Sequence, residues 1–106
     1  MFMGHAHNIV INSKSIIGTN FCVANGVTVG KDFRGKRIGV PTIGDNVFIG
    51  ANATVVGNIV IGSDVLIAPN SFVNMDVPDH SIVIGVPGKI IHRDYATEGF
   101  ILNTKF

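Results

Sequence analysis

The stretch that decides the fold is residues 43–78, which divide into six hexads: IGDNVF, IGANAT, VVGNIV, IGSDVL, IAPNSF and VNMDVP. An aliphatic residue opens every hexad, at Ile43, Ile49, Val55, Ile61, Ile67 and Val73. A small or aliphatic side chain fills every fifth place, at Val47, Ala53, Ile59, Val65, Ser71 and Val77. A short fixed period without interruption is typical of a solenoid whose repeats bury their apolar residues only by stacking. An α-helix would show a period near 3.6 instead.

The period also predicts the geometry of the solenoid. Six residues supply one short strand and a turn, so three hexads close a triangular coil whose strands stack about 4.8 Å apart. Gly or Ala in the second place suits a corner, where a large side chain would crowd the turn and where φ can be positive; these residues are Gly44, Gly50, Gly62 and Ala68. Asn or Asp in the fourth place tolerates left-handed backbone. We therefore predict an all-β solenoid of about four coils.

One histidine interrupts the aliphatic row when the register is followed back to the start of the chain. His5 occupies an opening position, and the later openings are Ile11, Ile17, Val23 and Val29. Burying an unpaired imidazole costs a few kcal/mol. His5 is therefore either a half-solvated residue of the first coil or a general base, because an imidazole with a pKa near 6.5 can accept a proton at neutral pH.

Residues 31–42 interrupt the period. The opening positions fall at Val29 and Ile43, a gap of 14 (43 − 29) where 12 would keep the register, which predicts a loop that leaves the prism. The loop carries Lys31, Arg34, Lys36 and Arg37. It is either a solvated loop or a lid whose cations meet an anionic ligand.

The hexads stop after Pro78. Residues 79–91 predict a turn and one last strand, and residues 92–106 predict a polar tail with scattered apolar side chains. The predicted organisation is thus one solenoid domain at 1–91, with the loop at 31–42, and a C-terminal tail at 92–106.

Composition limits the classes of partner. A net charge of +1 gives no reason to expect nucleic acid as a partner. No long apolar run or signal peptide is present, which predicts no membrane association and a cytoplasmic location. Charged residues make up only 14% of the chain, and 106 residues bury a small core, so we expect association between copies of the chain.

Three segments resemble a known family: GHAHNIVIN at 4–12, PTIGDNVFIGANATVVGNIVIG at 41–62 and VPDHSIVIGVPGKII at 77–91. They are similar to the hexapeptide-repeat acyltransferases, and within them to the serine acetyltransferases and the polysaccharide O-acetyltransferases. The resemblance implies a left-handed parallel β-helix, which is an exception to the usual right-handed crossover. It also implies a homotrimer that transfers an acetyl group from acetyl-CoA, without a metal.

The resemblance extends to individual site residues. His5 and Ala6 fall on the His-Ala pair that carries the family's general base, which implies that His5 is catalytic. The residues expected to border the pantetheine arm of acetyl-CoA are Gly50, Ala51, Ala68 and Pro69. The residues expected to close over its adenosine end are Val86, Pro87 and Lys89.

Three departures separate the chain from the serine enzymes. Gly4 stands where they carry Asp before the base. Gly39 and Val40 stand where they carry an Arg-His pair, whose Arg binds the carboxylate of the amino acid. Their acidic partner for the base would lie upstream of Met1. These departures favour a sugar, or another small hydroxyl compound, over serine as the acceptor.

Two other classes of function remain open. The missing acid motivates a catalytically silent or truncated β-helix trimer that binds CoA or only assembles. A zinc-dependent hydratase on the same fold would need three histidines that converge from neighbouring coils. The histidines are His5, His7, His80 and His92, and none lies in the central hexads.

Overall fold

Short strands alternate with tight turns along the whole described chain. The computed structural model describes residues 2–3, 8–32 and 37–99. The strands are β1 (Phe2–Met3), β2 (Val10–Ile11), β3 (Ile16–Ile17), β4 (Phe21–Val23), β5 (Thr28–Gly30), β6 (Thr42–Ile43), β7 (Val47–Ile49), β8 (Thr54–Val56), β9 (Val60–Ile61), β10 (Val65–Ile67), β11 (Phe72–Val73), β12 (Ser81–Ile84) and β13 (Lys89–His92). In this part of the chain, no helix is long and apolar enough to cross a membrane.

The strands form three sheets that wrap into a triangular coil. Sheet A has the order β1-β4-β7-β10-β12-β13, sheet B has the order β11-β8-β5-β2, and sheet C has the order β3-β6-β9. From β1 to β12, successive strands of the chain enter different sheets, and strands one coil apart pair in parallel. Leu66, for example, pairs with Phe48, which occupies the same place three hexads earlier. The predicted three-sided coil, with one hexad on each side, is confirmed.

The core is the interior of the prism. All six opening residues from Ile43 to Val73 and all six fifth-place residues from Val47 to Val77 are buried. Two inward positions per hexad explain why the period of six is so regular. In these six hexads, each coil adds three such pairs to an interior column that is apolar except for Ser71, whose Oγ accepts a hydrogen bond from the Gly85 N–H at 3.0 Å.

The corners depart from the sequence prediction in one respect. Positive φ values occur in the fourth place, at Asn46, Asn52, Asp64 and Asn70. The second-place glycines do not adopt them, so the suggestion of positive φ at those glycines was wrong. Glycine is needed there for a different reason, namely close contact between coils. A Cβ on Gly50 would lie 2.6 Å from the backbone N of Pro69.

Gly50 and Gly30 offer a matched test of this close approach. Gly50→Ala is expected to lower the free energy of unfolding by about 1–3 kcal/mol, because neither backbone can move without disturbing the stack. Gly30→Ala is expected to be neutral or slightly stabilising, since its Cβ would meet only side-chain methyls at 3.6 and 3.7 Å. Equal denaturation midpoints for the two variants would contradict the steric explanation.

The insertion between β5 and β6 is larger than the sequence count suggested. Along sheet A, Val23 pairs with Ile49, and Ile49 pairs in turn with Ile67. The first of these coils takes 26 residues (49 − 23) and the second takes 18 (67 − 49). The first coil is therefore longer by eight residues (26 − 18). The prediction of two extra residues was wrong. The reason is that Val29 lies in β5 and Ile43 lies in the next strand, β6. The step of 14 residues between these two opening positions therefore replaces one hexad of six residues and not two hexads.

The base of the inserted loop is tied to the solenoid. Asp32 and Gly39 form an antiparallel bridge, with N···O distances of 3.0 and 3.1 Å. The Arg37 carbonyl accepts a hydrogen bond from the Asn58 N–H at 2.8 Å, and its guanidinium pairs with Asp76 at 3.2 Å. Arg34 and Lys36 lie outside the described residues. A lid over an anionic ligand stays a prediction.

The last part of sheet A is a hairpin, whereas the sequence suggested a single strand. β13 runs antiparallel to β12, with Ser81 opposite His92 and Ile84 opposite Lys89. The segment Gly85-Val86-Pro87-Gly88 reverses the chain between them, and Gly85 has a φ of 101°. Two glycines and a proline within four residues favour such a reversal, and treating them as a simple bend concealed the second strand.

Candidate functional site

An apolar groove runs along the outside of the prism, where the chain leaves sheet A for sheet B. It encloses about 580 Å³. The residues that line it, called the apolar groove from here on, are Ala24, Phe48, Gly50, Ala51, Leu66, Ala68, Pro69, Ile82 and Ile84. Every lining side chain is non-polar. A surface feature of this kind marks a ligand or partner site more often than a solvated face.

The wall of the apolar groove is a ladder of outward side chains on sheet A. Phe48, Leu66 and Ile82 occupy register positions one coil apart on β7, β10 and β12. Each lies between two buried residues of its strand, so the alternation of a β-strand turns it outward. The sequence analysis missed these three residues. Phe48 and Leu66 occupy the sixth place of hexads that are one coil apart, whereas Ile82 follows the end of the hexads and gives no such signal.

The floor of the apolar groove is formed by corner residues with small side chains. Gly50 and Ala51 follow β7, and Ala68 and Pro69 follow β10, so the four residues expected to border pantetheine lie together here. The N–H of Gly50 donates to the Ile67 carbonyl at 2.8 Å, which fixes one corner directly above the next. Small corners leave the backbone accessible to an elongated ligand.

The hairpin turn lies at one end of the apolar groove. Lys89 pairs with Ile84, which lines the groove, and Val86 is 73% exposed. The turn is anchored to sheet B, because the Gly88 N–H donates to the Phe72 carbonyl at 3.0 Å. The three residues expected at the adenosine end, Val86, Pro87 and Lys89, therefore belong to a turn that borders the groove.

The other end of the apolar groove points toward the start of the chain. Met3 in β1 pairs with Val23 in β4, and Val23 directly precedes the lining residue Ala24. His5, the predicted base, follows Met3 by two positions, but it lies outside the described residues. The role of His5 therefore stays a prediction.

A polar cluster at the start of strand β10, opposite the corner that follows this strand in the groove, was not foreseen. The buried carboxylate of Asp64 accepts hydrogen bonds from His80 Nδ1 at 2.7 Å, the Ala96 N–H at 3.0 Å, the Thr97 N–H at 3.0 Å and Thr97 Oγ1 at 2.8 Å. Burial acts to raise the pKa of Asp64, but the hydrogen bonds outweigh it and leave the pKa lowered. The same hydrogen bond raises the pKa of His80.

The pair of Asp64 and His80 makes stability depend on pH in a defined direction. The stabilisation from His80 is fully present below about pH 6.5, the ordinary histidine pKa, and is lost as the pH rises through its raised pKa. Asp79 and Asp94 act in the same direction on His80, and the His92 ring lies 6.5 Å from it. Asp64 contributes stability above its unfolded pKa and loses it only as the pH falls through its lowered pKa.

We expect the stability difference between the wild-type chain and His80→Gln to shrink from about pH 6 to pH 9. Denaturant unfolding at fixed ionic strength measures it, and His92→Gln, whose imidazole is well exposed, is the matched control. A difference that stays constant with pH would contradict the assignment of the charged hydrogen bond.

Within the described ranges, no group of three or more potential metal ligands comes together. His80 and His92 lie near each other, while His5 and His7 lie outside these ranges.

Comparison with known proteins agrees with this geometry. Residues 41–74 match the family described as bacterial transferase hexapeptide (six repeats). A serine acetyltransferase from Staphylococcus aureus is 46% identical over 97 residues, which cover 89% of this chain and 44% of the relative. One from Staphylococcus xylosus is 45% identical over the same shares. The chain is a hexapeptide-repeat relative of the serine acetyltransferases.

Solved structures of hexapeptide-repeat relatives share the fold. The serine acetyltransferase of Neisseria gonorrhoeae, solved in complex with serine, has a TM-score of 0.75 and 43% identity over 84% of this chain and 36% of its own. That of Brucella abortus, solved with coenzyme A, has a TM-score of 0.80 and 35% identity over 87% of this chain and 37% of its own. The hexapeptide-repeat fold is a left-handed parallel β-helix, as predicted. The chain spans less than half the length of these relatives.

Proposed function

We propose that the chain is the β-helix part of an acetyltransferase that uses acetyl-CoA as donor. The observation that carries the proposal is the apolar groove, because four of its nine lining residues are those that the family resemblance assigns to the pantetheine arm. The coenzyme A complex of the Brucella abortus relative supports the same donor. We also propose a homotrimer, in which a neighbouring copy covers the open side of the groove.

The groove and the hairpin turn suit the two chemically different parts of CoA. The aliphatic stretches of pantetheine can lie against Phe48, Leu66 and Ile82 along coils that stack about 4.8 Å apart. The phosphates at the other end carry negative charge, and Lys89 provides a cation beside the turn.

In the proposed reaction, His5 acts as general base. Its imidazole accepts the proton of the acceptor hydroxyl while the hydroxyl oxygen attacks the thioester carbonyl carbon. The tetrahedral intermediate then collapses with cleavage of the C–S bond, and the imidazolium returns its proton to the CoA sulfur. The products are the O-acetyl ester and free CoA. A backbone N–H at a corner of the coil is suited to stabilise the oxyanion.

Two acceptors remain, and each has its own support. The names of the relatives and the serine complex from Neisseria gonorrhoeae favour serine. Gly39 and Val40 stand at the positions of the family's Arg-His pair, so the Arg that binds the amino acid is absent, which favours a sugar or another small hydroxyl compound. We rank serine first, since the similarity covers most of this chain, and keep the sugar as the second candidate. A cytoplasmic location remains part of the proposal.

Calorimetric titration with CoA, followed by a thiol-release assay with acetyl-CoA, tests the proposal. Saturable binding near one CoA per chain, with CoA released on addition of serine, is expected. Release with a panel of sugars but not with serine would reverse the ranking of acceptors. No binding at millimolar CoA would refute the proposed function in favour of a silent β-helix.

A further inference from the structure

Asp64 is a buried charge that joins three distant parts of the chain. Asp64 is only 2% exposed, and it lies in the corner before β10. Oδ2 accepts from His80, which precedes β12, and from the N–H of Ala96. Oδ1 accepts from both the N–H and the hydroxyl of Thr97. Ala96 and Thr97 are themselves buried, at 3% and 0% exposure. The carboxylate thereby binds the segment after β13 to the last coil.

The position of β13 depends on these hydrogen bonds between Asp64 and the segment after β13, called the Asp64 anchor from here on. All four residues of Lys89–His92 are exposed, so side-chain packing holds the strand weakly. It is held by backbone pairing with β12, by the Arg93 N–H that donates to the His80 carbonyl at 2.8 Å, and by the Asp64 anchor just beyond. Edge elements with few buried contacts open most easily. Loss of the anchor would therefore loosen β13 from its C-terminal end.

The other end of β13 is the turn that borders the apolar groove. We propose that Asp64 is a positioning residue for the donor site, which holds β13 and thereby fixes the turn of Val86, Pro87 and Lys89 at the end of the groove. The inference rests on the proposed function, since it assigns this turn to the nucleotide end of CoA. Asp64 precedes β10 and does not line the groove, so its effect is exerted through β13 and not by contact with the donor.

Asp64→Asn is the decisive variant. Asparagine keeps the shape but has one acceptor oxygen where the carboxylate has two, so it cannot accept all four hydrogen bonds. We expect the Kd of CoA to rise about tenfold, because the turn is then held only by its hydrogen bonds to Ser71 and Phe72, and its remaining motion must be suppressed on binding. The Kd of acetyl-pantetheine, which lacks the nucleotide, is expected to stay unchanged. Asp45→Asn is the matched control, since Asp45 accepts the Thr19 N–H at 2.8 Å in the same row of corners without contacting the C-terminal segment.

Amide hydrogen exchange reads the position of the turn without any ligand. Faster exchange of the Gly88 N–H, which bonds to Phe72, is expected in Asp64→Asn and not in Asp45→Asn. Unchanged exchange at Gly88 overturns the inference, whether or not the wild type binds CoA. Equal loss of CoA and acetyl-pantetheine also overturns it, because that result indicates a general defect of the fold. Failure of the wild type to bind CoA, with Gly88 exchange altered, would refute the proposed function alone.

A milder variant covers the case in which Asp64→Asn does not fold. Thr97→Val keeps the side-chain shape and removes only the hydroxyl donor to Asp64. It is expected to raise the Kd of CoA about threefold and to speed exchange at Gly88 less than Asp64→Asn does. Normal values for both in a folded Thr97→Val protein would count against the anchor.

Discussion

Replacing His5 by alanine is expected to lower the turnover number for acetyl transfer by about 10²- to 10⁴-fold while the Kd of CoA stays within a factor of two. The physical reason is that a neutral hydroxyl is a poor nucleophile toward a thioester. A base that removes the proton as the C–O bond forms avoids the cost of a free alkoxide. CoA binding should persist, because the residues that line the apolar groove begin at Ala24.

His7→Ala is the matched control for His5→Ala. His7 belongs to the same segment, GHAHNIVIN, but does not fall on an opening position of the hexads. Initial rates at saturating acetyl-CoA and a range of pH values measure both variants. The wild-type rate should fall at acidic pH as the imidazole becomes protonated, and His5→Ala should lack this limb. Equal losses in the two variants would assign the effect to local structure and contradict a specific base at His5.

The inner half of the fold follows from the sequence for a simple physical reason. Each hexad turns two side chains inward, and both must be small or aliphatic because the identical position of the next coil stacks on them. The pattern within each hexad therefore indicates how the coils stack in the whole fold. The count located the insertion after Val29 but gave too short a length, because the pattern gives the position within a hexad and not the sheet to which that hexad belongs.

The outer surface follows from the sequence only in part. The small corner residues Gly50, Ala51, Ala68 and Pro69 came from a family resemblance, and the structure places them along one groove. The ladder on sheet A repeats once per coil, which is three times the period of the core. Outward residues of sheet A recur only in every third hexad. In the sequence they are hard to recognise, because the two hexads between them place residues of the other two sheets at the same sixth position.

The Asp64 anchor could not have been read from the pattern. In the hexads Asp64 is one more turn residue of the fourth place, where Asn46 and Asn70 also lie. Its partners Ala96 and Thr97 follow 32 and 33 residues later, in a segment without any period. Local sequence preferences do not encode a contact between such distant residues. Only the three-dimensional structure distinguishes the buried Asp64 from the half-buried Asn46 and the exposed Asn70.

Leu66→Glu is expected to weaken CoA binding by about 100-fold with little loss of stability. Leu66 stands between Phe48 and Ile82 in the wall of the apolar groove. A ligand bound there would displace the water around the new carboxylate without providing a hydrogen-bond donor in its place. This desolvation costs several kcal/mol of binding free energy. The fold should tolerate the change, because the side chain lies outside the prism and Val65 and Ile67 continue to fill the core.

Thr54→Glu supplies the matched control for Leu66→Glu. Thr54 also occupies a sixth place and is also half-buried, but it lies on sheet B outside the groove. Calorimetry with CoA, denaturant unfolding and light scattering should be applied to both variants. Equal affinities of Leu66→Glu and the wild type would exclude the groove as the donor site. If Leu66→Glu also lowers the mass of the assembly and Thr54→Glu does not, sheet A faces a neighbouring copy. The donor would then lie between subunits, because the same outward ladder would contact both.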